Sequence, residues 1–147
     1  MSKLGRRGAL FTGLVLEVFK LNRLLLDAGD AVAAPAGLTS ARWQVLGVVE
    51  HGPVSVADVA RTMGLKRQSV QEVAHGLAAT EMIEWLDNPK HQKSKLMRLT
   101  RKGKKAMELL AERHADWANA LAAAHPARSL AAALETLVAL RKRLEGT

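Results

Sequence analysis

A single residue, Leu65, separates the glycine that ends one helical pattern from the lysine that opens the next, and this tightness limits the folds open to the chain. Upstream, Ser55 and Asp58 have the spacing of a capping box, and Val56, Val59, Ala60 and Met63 supply the apolar positions of a helix that Gly64 stops. Downstream, Val70, Val73, Ala74 and Leu77 form the apolar face of a helix that begins at Lys66. Two helices joined by so short a glycine-containing turn make a helix-turn-helix. A further helix before them carries Trp43, Leu46 and Val49; Thr39 or Ser40 can cap it, and it ends at Gly52 and Pro53.

Helical geometry places Gln68, Glu72 and His75 opposite the apolar face of the second helix, with Gln71 at the flank. That outer face is polar and long enough to reach base edges. Lys66 and Arg67 put positive charge at a helix N-terminus, where the macrodipole favours negative charge. A phosphate there satisfies both the cations and the free N–H groups of the first turn. Beyond this helix, Ile83–Leu86 and Leu96–Leu99 read as two short strands, joined by a loop containing Asn88, Pro89, Lys90, His91, Gln92 and Lys93. From Asn88 to Lys105 there are eight Lys or Arg residues and no Asp or Glu, a bias that a merely solvated loop does not need. A basic hairpin directly after a helix-turn-helix is a wing.

The two ends of the chain carry a different pattern. Phe11, Leu14, Val18, Leu21 and Leu25 alternate spacings of three and four, which predicts a helix over residues 8–28 with one apolar seam, widened by Val15, Phe19, Leu24 and Leu26. After Gly29 the small residues Ala31–Gly37 read as a connector. The repeat returns as Met107, Leu110, His114, Trp117 and Leu121, predicting a helix over about 104–124 that stops before Pro126. Pro126 suits the first turn of a last helix, whose apolar face is Leu130, Leu134, Leu137, Leu140 and Leu144. Seams of this kind at both ends point to a homodimer in which the termini of two subunits interlock, the bland alternative being an intramolecular bundle.

Composition narrows the function classes. The 147 residues suit one domain, and 22 Lys and Arg against 14 Asp and Glu leave a net charge of +8, so a polyanion is the expected partner. No cysteine is present, which excludes disulfides, thiolate metal sites and thiol chemistry and fits a reducing cytoplasm. Arg6 and Arg7 precede an apolar run as an export signal would, but Glu17, Lys20, Arg23 and Asp27 break the pattern soon after that run, and no stretch is long enough to span a membrane. The five histidines show no paired-ligand spacing, Ser69 has no recognisable triad around it, and no phosphate-binding glycine pattern occurs, so neither catalysis, metal nor cofactor is expected.

Residues 38–103 resemble the MarR family of bacterial transcriptional regulators in order and wording: Leu38, Thr39, Trp43, Gln44, Val45 and Leu46; Val59, Ala60, Met63, Gly64 and Leu65; Arg67, Gln68, Ser69 and Val70; Leu77; then Leu99, Thr100 and Gly103. The resemblance implies a mainly α fold with a small two-stranded β-wing, a DNA-binding lobe over 38–103, and dimerisation helices over 1–30 and 104–147. It further implies a homodimer on a pseudo-palindromic double-stranded DNA operator, acting as a repressor and often released by a small-molecule effector. The recognition-helix contacts would then be Lys66, Arg67, Gln68, Ser69, Gln71, Glu72 and His75, and the wing contacts Lys90, His91, Gln92, Lys93 and Lys95. Phe11, Leu14, Val18, Leu21, Leu130, Leu134 and Leu137 would serve dimerisation.

The chain departs from that family in its wing, where His91, Gln92 and Lys93 stand in place of the usual Asp, Arg, Arg, so the planar arginine fork is missing. Lys66 replaces the usual Ser or Thr at the helix start, which weakens capping. Glu72 has two readings: acceptor for a cytosine amine, or ion-pair partner of Arg67. Trp43, His114 and Trp117 are candidates for an effector pocket, with core or interface packing as the plain alternative. A different class of function, a winged-helix module binding an acidic protein, or architectural DNA binding without effector control, fits the same basic wing.

Overall fold

The computed structural model describes residues 1–147, and its organisation depends on where helices are allowed to touch. Six helices, α1 (Arg6–Ala33), α2 (Ser40–Val49), α3 (Val56–Met63), α4 (Arg67–Ala79), α5 (Arg101–Ala122) and α6 (Ala127–Glu145), are joined by one 3-10 turn at Ala34–Ala36 and by three strands, β1 (Val54–Ser55), β2 (Ile83–Leu86) and β3 (Leu96–Leu99). Two compact units divide the chain at Ala111 and Glu112, within the length of α5. None of the helices is long and apolar enough to cross a membrane.

In residues 1–111 the core is made by Val45, Leu46 and Val49 of α2, Val56, Val59 and Ala60 of α3, and Val70, Ala74 and Leu77 of α4. Ile83, Met97 and the stripe Ala106, Met107, Leu110 of α5 also belong to it, as do Val32 and Ala33 of α1, Leu38 and Met82. The anticipated caps are in place: Thr39 accepts from the Arg42 N–H at 3.2 Å, Ser55 accepts from the Asp58 N–H at 3.2 Å, and Gly64 takes the left-handed conformation at φ 64°. Of the two capping candidates for α2, Thr39 is the cap. Ser40 turns back to α1 instead, its N–H donating to Asp30 Oδ1 at 2.7 Å and its hydroxyl to the Leu26 carbonyl at 2.6 Å.

That contact explains why α1 runs past the expected stop at residue 28. Gly29 is buried inside the helix because a Cβ there would collide with the Ser40 side chain, so this glycine serves close approach and not termination. The supposed connector 31–37 is accordingly helical to Ala33, and the chain turns only at Gly37, φ 76°. α5 likewise begins at Arg101, three residues earlier than the seam suggests, and Pro126 is the cap before α6, outside its first turn.

The two strands predicted after α4 have the expected bounds and pair antiparallel with Ile83 opposite Leu99 and Glu84 opposite Arg98. Beyond this expected two-stranded wing, β1 adds a third strand, pairing Val54 with Met97 and placing β3 at the centre of a three-stranded sheet, β1-β3-β2. Two residues after Pro53 carry no strand periodicity of their own, and their pairing is made across some forty residues of sequence.

In residues 112–147 the end of α5 and the whole of α6 are joined by a turn in which the His125 N–H donates to the Ala122 carbonyl at 3.0 Å. No residue of α6 is buried; Leu134 is 63% exposed and Leu144 69%. On α1, Phe11, Val18, Leu21 and Leu25 are similarly exposed, while Leu14 is half-buried.

Gly103 is the tightest point of the first unit: a side chain there would penetrate the Met82 carbonyl. Gly103→Ala should therefore lower stability by about 1–3 kcal/mol through overpacking. Gly47→Ala, in the interior of α2 with nothing within 4 Å of the new Cβ, should raise it by up to about 1 kcal/mol. Chemical denaturation midpoints of the two variants should move in opposite directions.

Candidate nucleic-acid interface

The geometry of α4 divides its residues as the sequence pattern requires. Val70, Ala74 and Leu77 are buried, Gln68, Ser69, Glu72 and His75 are exposed, and Gln71 is half-buried at the border. Lys66 is the N-cap and its side chain makes no capping bond, so the first N–H groups of α4 stay available beside Lys66 and Arg67. At the other end of the helix, Arg42 of α2 crosses over Gly76; a Cβ at that position would stand 2.7 Å from the Arg42 Nη2.

Two side chains of the outer face are tied together. The Gln71 amide Nε2 donates to His75 Nε2 at 2.9 Å, and the imidazole stands edge-on to Trp85 of β2, ring centres 6.4 Å apart at 71°. Arg67 and Glu72 form no ion pair, which leaves the Glu72 carboxylate facing solvent.

The wing loop, residues 87–95, is shaped by two successive turns: His91 donates to the Asn88 carbonyl at 3.1 Å and Ser94 to the His91 carbonyl at 3.2 Å. The Asn88 side chain adds a third constraint by accepting from the Lys90 N–H at 3.0 Å. Lys90, His91, Gln92, Lys93 and Lys95 are all exposed on it.

The basic run that looked continuous in sequence is partitioned by the fold. Lys90, Lys93 and Lys95 belong to the wing, whereas Arg98 on β3 is bound by Glu84 directly across on β2, its Nε donating to Glu84 Oε1 at 2.8 Å. Lys102 is turned back onto the Thr80 carbonyl at 2.8 Å, and Arg101, Lys104 and Lys105 open α5. The free cations of the hairpin are therefore the three lysines alone.

Between α4, β2, the wing loop and the start of α3 lies an open cleft of about 370 Å³, lined by Val56, Ala57, Arg67, Gln71, His75, Trp85, Lys93, Ser94 and Lys95. It brings together Arg67, Gln71 and His75 of the recognition helix with Lys93 and Lys95 of the wing, and no carboxylate lines it. Nothing in the sequence pattern marks Trp85 and Ser94 for this site; the packing of β2 beside α4 and the closure of the wing turn bring them here. The residues considered for an effector do not line the cleft. Trp43 is half-buried on α2, while His114 and Trp117 pack together on α5 with ring centres 5.9 Å apart. No three His, Asp or Glu side chains converge as a metal site.

The sequence profile of the MarR family matches residues 36–94, from the end of the 3-10 turn to the wing. The uncharacterized protein Rv2011c of Mycobacterium tuberculosis is 40% identical over 124 residues, 84% of this chain and 87% of its own. A MarR/EmrR family transcriptional regulator from Acinetobacter sp. ADP1 superimposes with a TM-score of 0.83 at 16% identity, over 94% of this chain and 99% of the other. The chain belongs to the MarR family. Regulators of that family bind DNA, and this MarR-family chain has their winged helix fold. The same fold is shared with CouR from Rhodococcus jostii RHA1, a structure bound to p-coumaroyl-CoA, with a TM-score of 0.75 at 19% identity over 86% of this chain and 90% of that one.

The partition of charge has a measurable consequence for DNA affinity. Replacing Lys93 and Lys95 together by Ala should reduce the slope of log affinity against log salt by up to about 1.8 per bound chain, at about 0.9 per phosphate contact. The paired exchange Arg98→Gln with Glu84→Gln, which removes a matched pair from the strands, should leave that slope unchanged. Salt titrations on one duplex compare the two directly.

Proposed function

We propose that this MarR-family chain is a sequence-specific double-stranded DNA-binding transcriptional regulator that works as a homodimer on a pseudo-palindromic operator and represses by occupying it. The observation that carries this reading is the cleft itself: Arg67, Lys93 and Lys95 surround Gln71 and His75 with no opposing carboxylate. Cations contributed by two different elements track a phosphate backbone, while Gln68, Gln71, Glu72 and His75 present hydrogen-bonding groups at the height of base edges. Lys66, Ser69, Lys90, His91 and Gln92 extend the contact along the same strands.

In this mechanism α4 enters the major groove with its N-terminus foremost. The unpaired N–H groups of its first turn, with Lys66 and Arg67, hold a phosphate and fix the depth of insertion. Gln68 and Gln71 each offer a donor and an acceptor in one plane, the arrangement that recognises adenine at N6 and N7. The wing lysines hold the adjoining backbone as point charges, a looser grip than the fork of an arginine.

The dimer is supported by the two terminal helices. Phe11, Val18 and Leu21 on α1, and Leu130, Leu134 and Leu137 on α6, leave apolar stripes open on helices whose other faces are polar, and a second copy covers them on both. Two-fold symmetry then places two recognition helices about 34 Å apart, one turn of duplex. A small-molecule effector belongs to the reading because CouR, of the same fold, carries p-coumaroyl-CoA.

Selection of bound duplexes from a random pool tests the function: an enriched inverted repeat supports it, and retention of duplex without enrichment refutes it. Gln68→Ala should weaken the enriched duplex by about 1–3 kcal/mol while leaving random duplex nearly unaffected. The double variant Leu130→Glu with Leu134→Glu should sediment as a monomer at micromolar concentration and lose the enriched duplex; a variant that stays dimeric removes α6 from the interface.

A further inference from the structure

The bond between Gln71 and His75 lies on the face that reads bases and takes one of the two amide hydrogens, which leaves the other N–H and Oε1 for reading. The imidazole is held from two sides, by Gln71 at 2.9 Å on its own helix and by the indole of Trp85 from β2, which packs against it in a T. With the ring so fixed, the orientation of the Gln71 amide is a property of His75.

We propose that His75 is a positioning residue for base reading: by fixing which way the Gln71 amide points, it sets the base that Gln71 selects, and protonation of the imidazole reverses the choice. The inference rests on the DNA-reading function proposed for this chain. A neutral imidazole whose Nε2 is bare accepts one Gln71 N–H. The other N–H and Oε1 then face outwards as the donor–acceptor fork that matches N7 and N6 of adenine. An imidazolium has N–H on both nitrogens and accepts nothing. The amide then turns over to offer Oε1 to the ring, and the outward position holds the NH2 group. That group is matched to the guanine acceptors O6 and N7 and opposes the amino group of adenine.

The other groups facing His75 separate this effect from simple attraction. Arg67 of α4 and Lys93 and Lys95 of the wing line the same cleft, Val56 and Ala57 of α3 contribute apolar walls, and Trp85 of β2 is neutral. A proton on His75 adds one more cation to that set and strengthens the hold on phosphates of every sequence. Reversal of the amide acts at one base pair in each half-site.

The experiment takes the duplex enriched from a random pool and measures affinity for every single-base replacement in a half-site, at about pH 8 and about pH 5.5. At one position adenine should be preferred roughly five- to a hundredfold at the higher pH. At the lower pH that preference should fall at least fivefold and move towards guanine, while the position read by Gln68 stays as it was. His75→Phe keeps a ring against Trp85 and removes the acceptor; its preference at that position should be weaker and the same at both pH values, with thermal unfolding confirming an intact fold. A wild-type preference unmoved by pH, or a pH shift that survives in His75→Phe, overturns the proposal. Failure to enrich any duplex at either pH overturns it together with the DNA-reading function, so the two failures are distinct.

Discussion

The angle between the recognition helix and the wing is fixed at Thr80–Met82, where α4 ends and β2 begins, and the cleft depends on that corner. Glu81 has φ 60°, a left-handed conformation that a residue with a side chain adopts only under constraint. The constraint comes from the start of α5. The Thr100 N–H donates to the Met82 carbonyl at 3.1 Å, the Thr100 hydroxyl to the Glu81 carbonyl, and Lys102 Nζ to the Thr80 carbonyl at 2.8 Å. Three consecutive carbonyls are thus gripped by one segment, and Gly103 lets that segment approach. The same Thr100 hydroxyl accepts from the Gly103 N–H at 3.1 Å, so it caps α5 while it ties the corner.

Local chemistry made the central lobe legible in sequence. Thr39, Ser55 and Gly64 act through groups one turn away or less, and the alternating residues of β2 and β3 carry their bounds with them. What could not be read depends on distant partners. Gly29 looks like a helix stop until Ser40 is seen against it, and Val54–Ser55 become a strand only because Met97 and Leu96 lie alongside. The two capping readings at Thr39 and Ser40 were distinguishable only through Asp30 and Leu26, residues of another helix.

Charge shows the same limit more sharply. Counting Lys and Arg from Asn88 to Lys105 suggests a uniformly positive hairpin, but the register that sets Glu84 opposite Arg98 cancels one charge, and Lys102 is spent on a backbone carbonyl. The spacing of Gln71 and His75 was visible as two polar positions on one face. Their mutual bond, and the indole that backs it, emerge only when β2 folds beside α4. The candidate contact residues were therefore recoverable one by one, and their coupling was not.

Trp85 also gives the molecule an optical property. The chain contains no tyrosine and only three tryptophans, so its near-ultraviolet emission comes from indoles alone. Neither Trp43 nor Trp117 lines the cleft, while Trp85 forms part of its wall and touches the imidazole of His75. Whatever enters the cleft displaces water from that one indole and alters its neighbour, and the colour and intensity of its emission change with occupancy. The protein thus carries an intrinsic fluorophore at the junction of recognition helix and wing, able to report on that junction without a label.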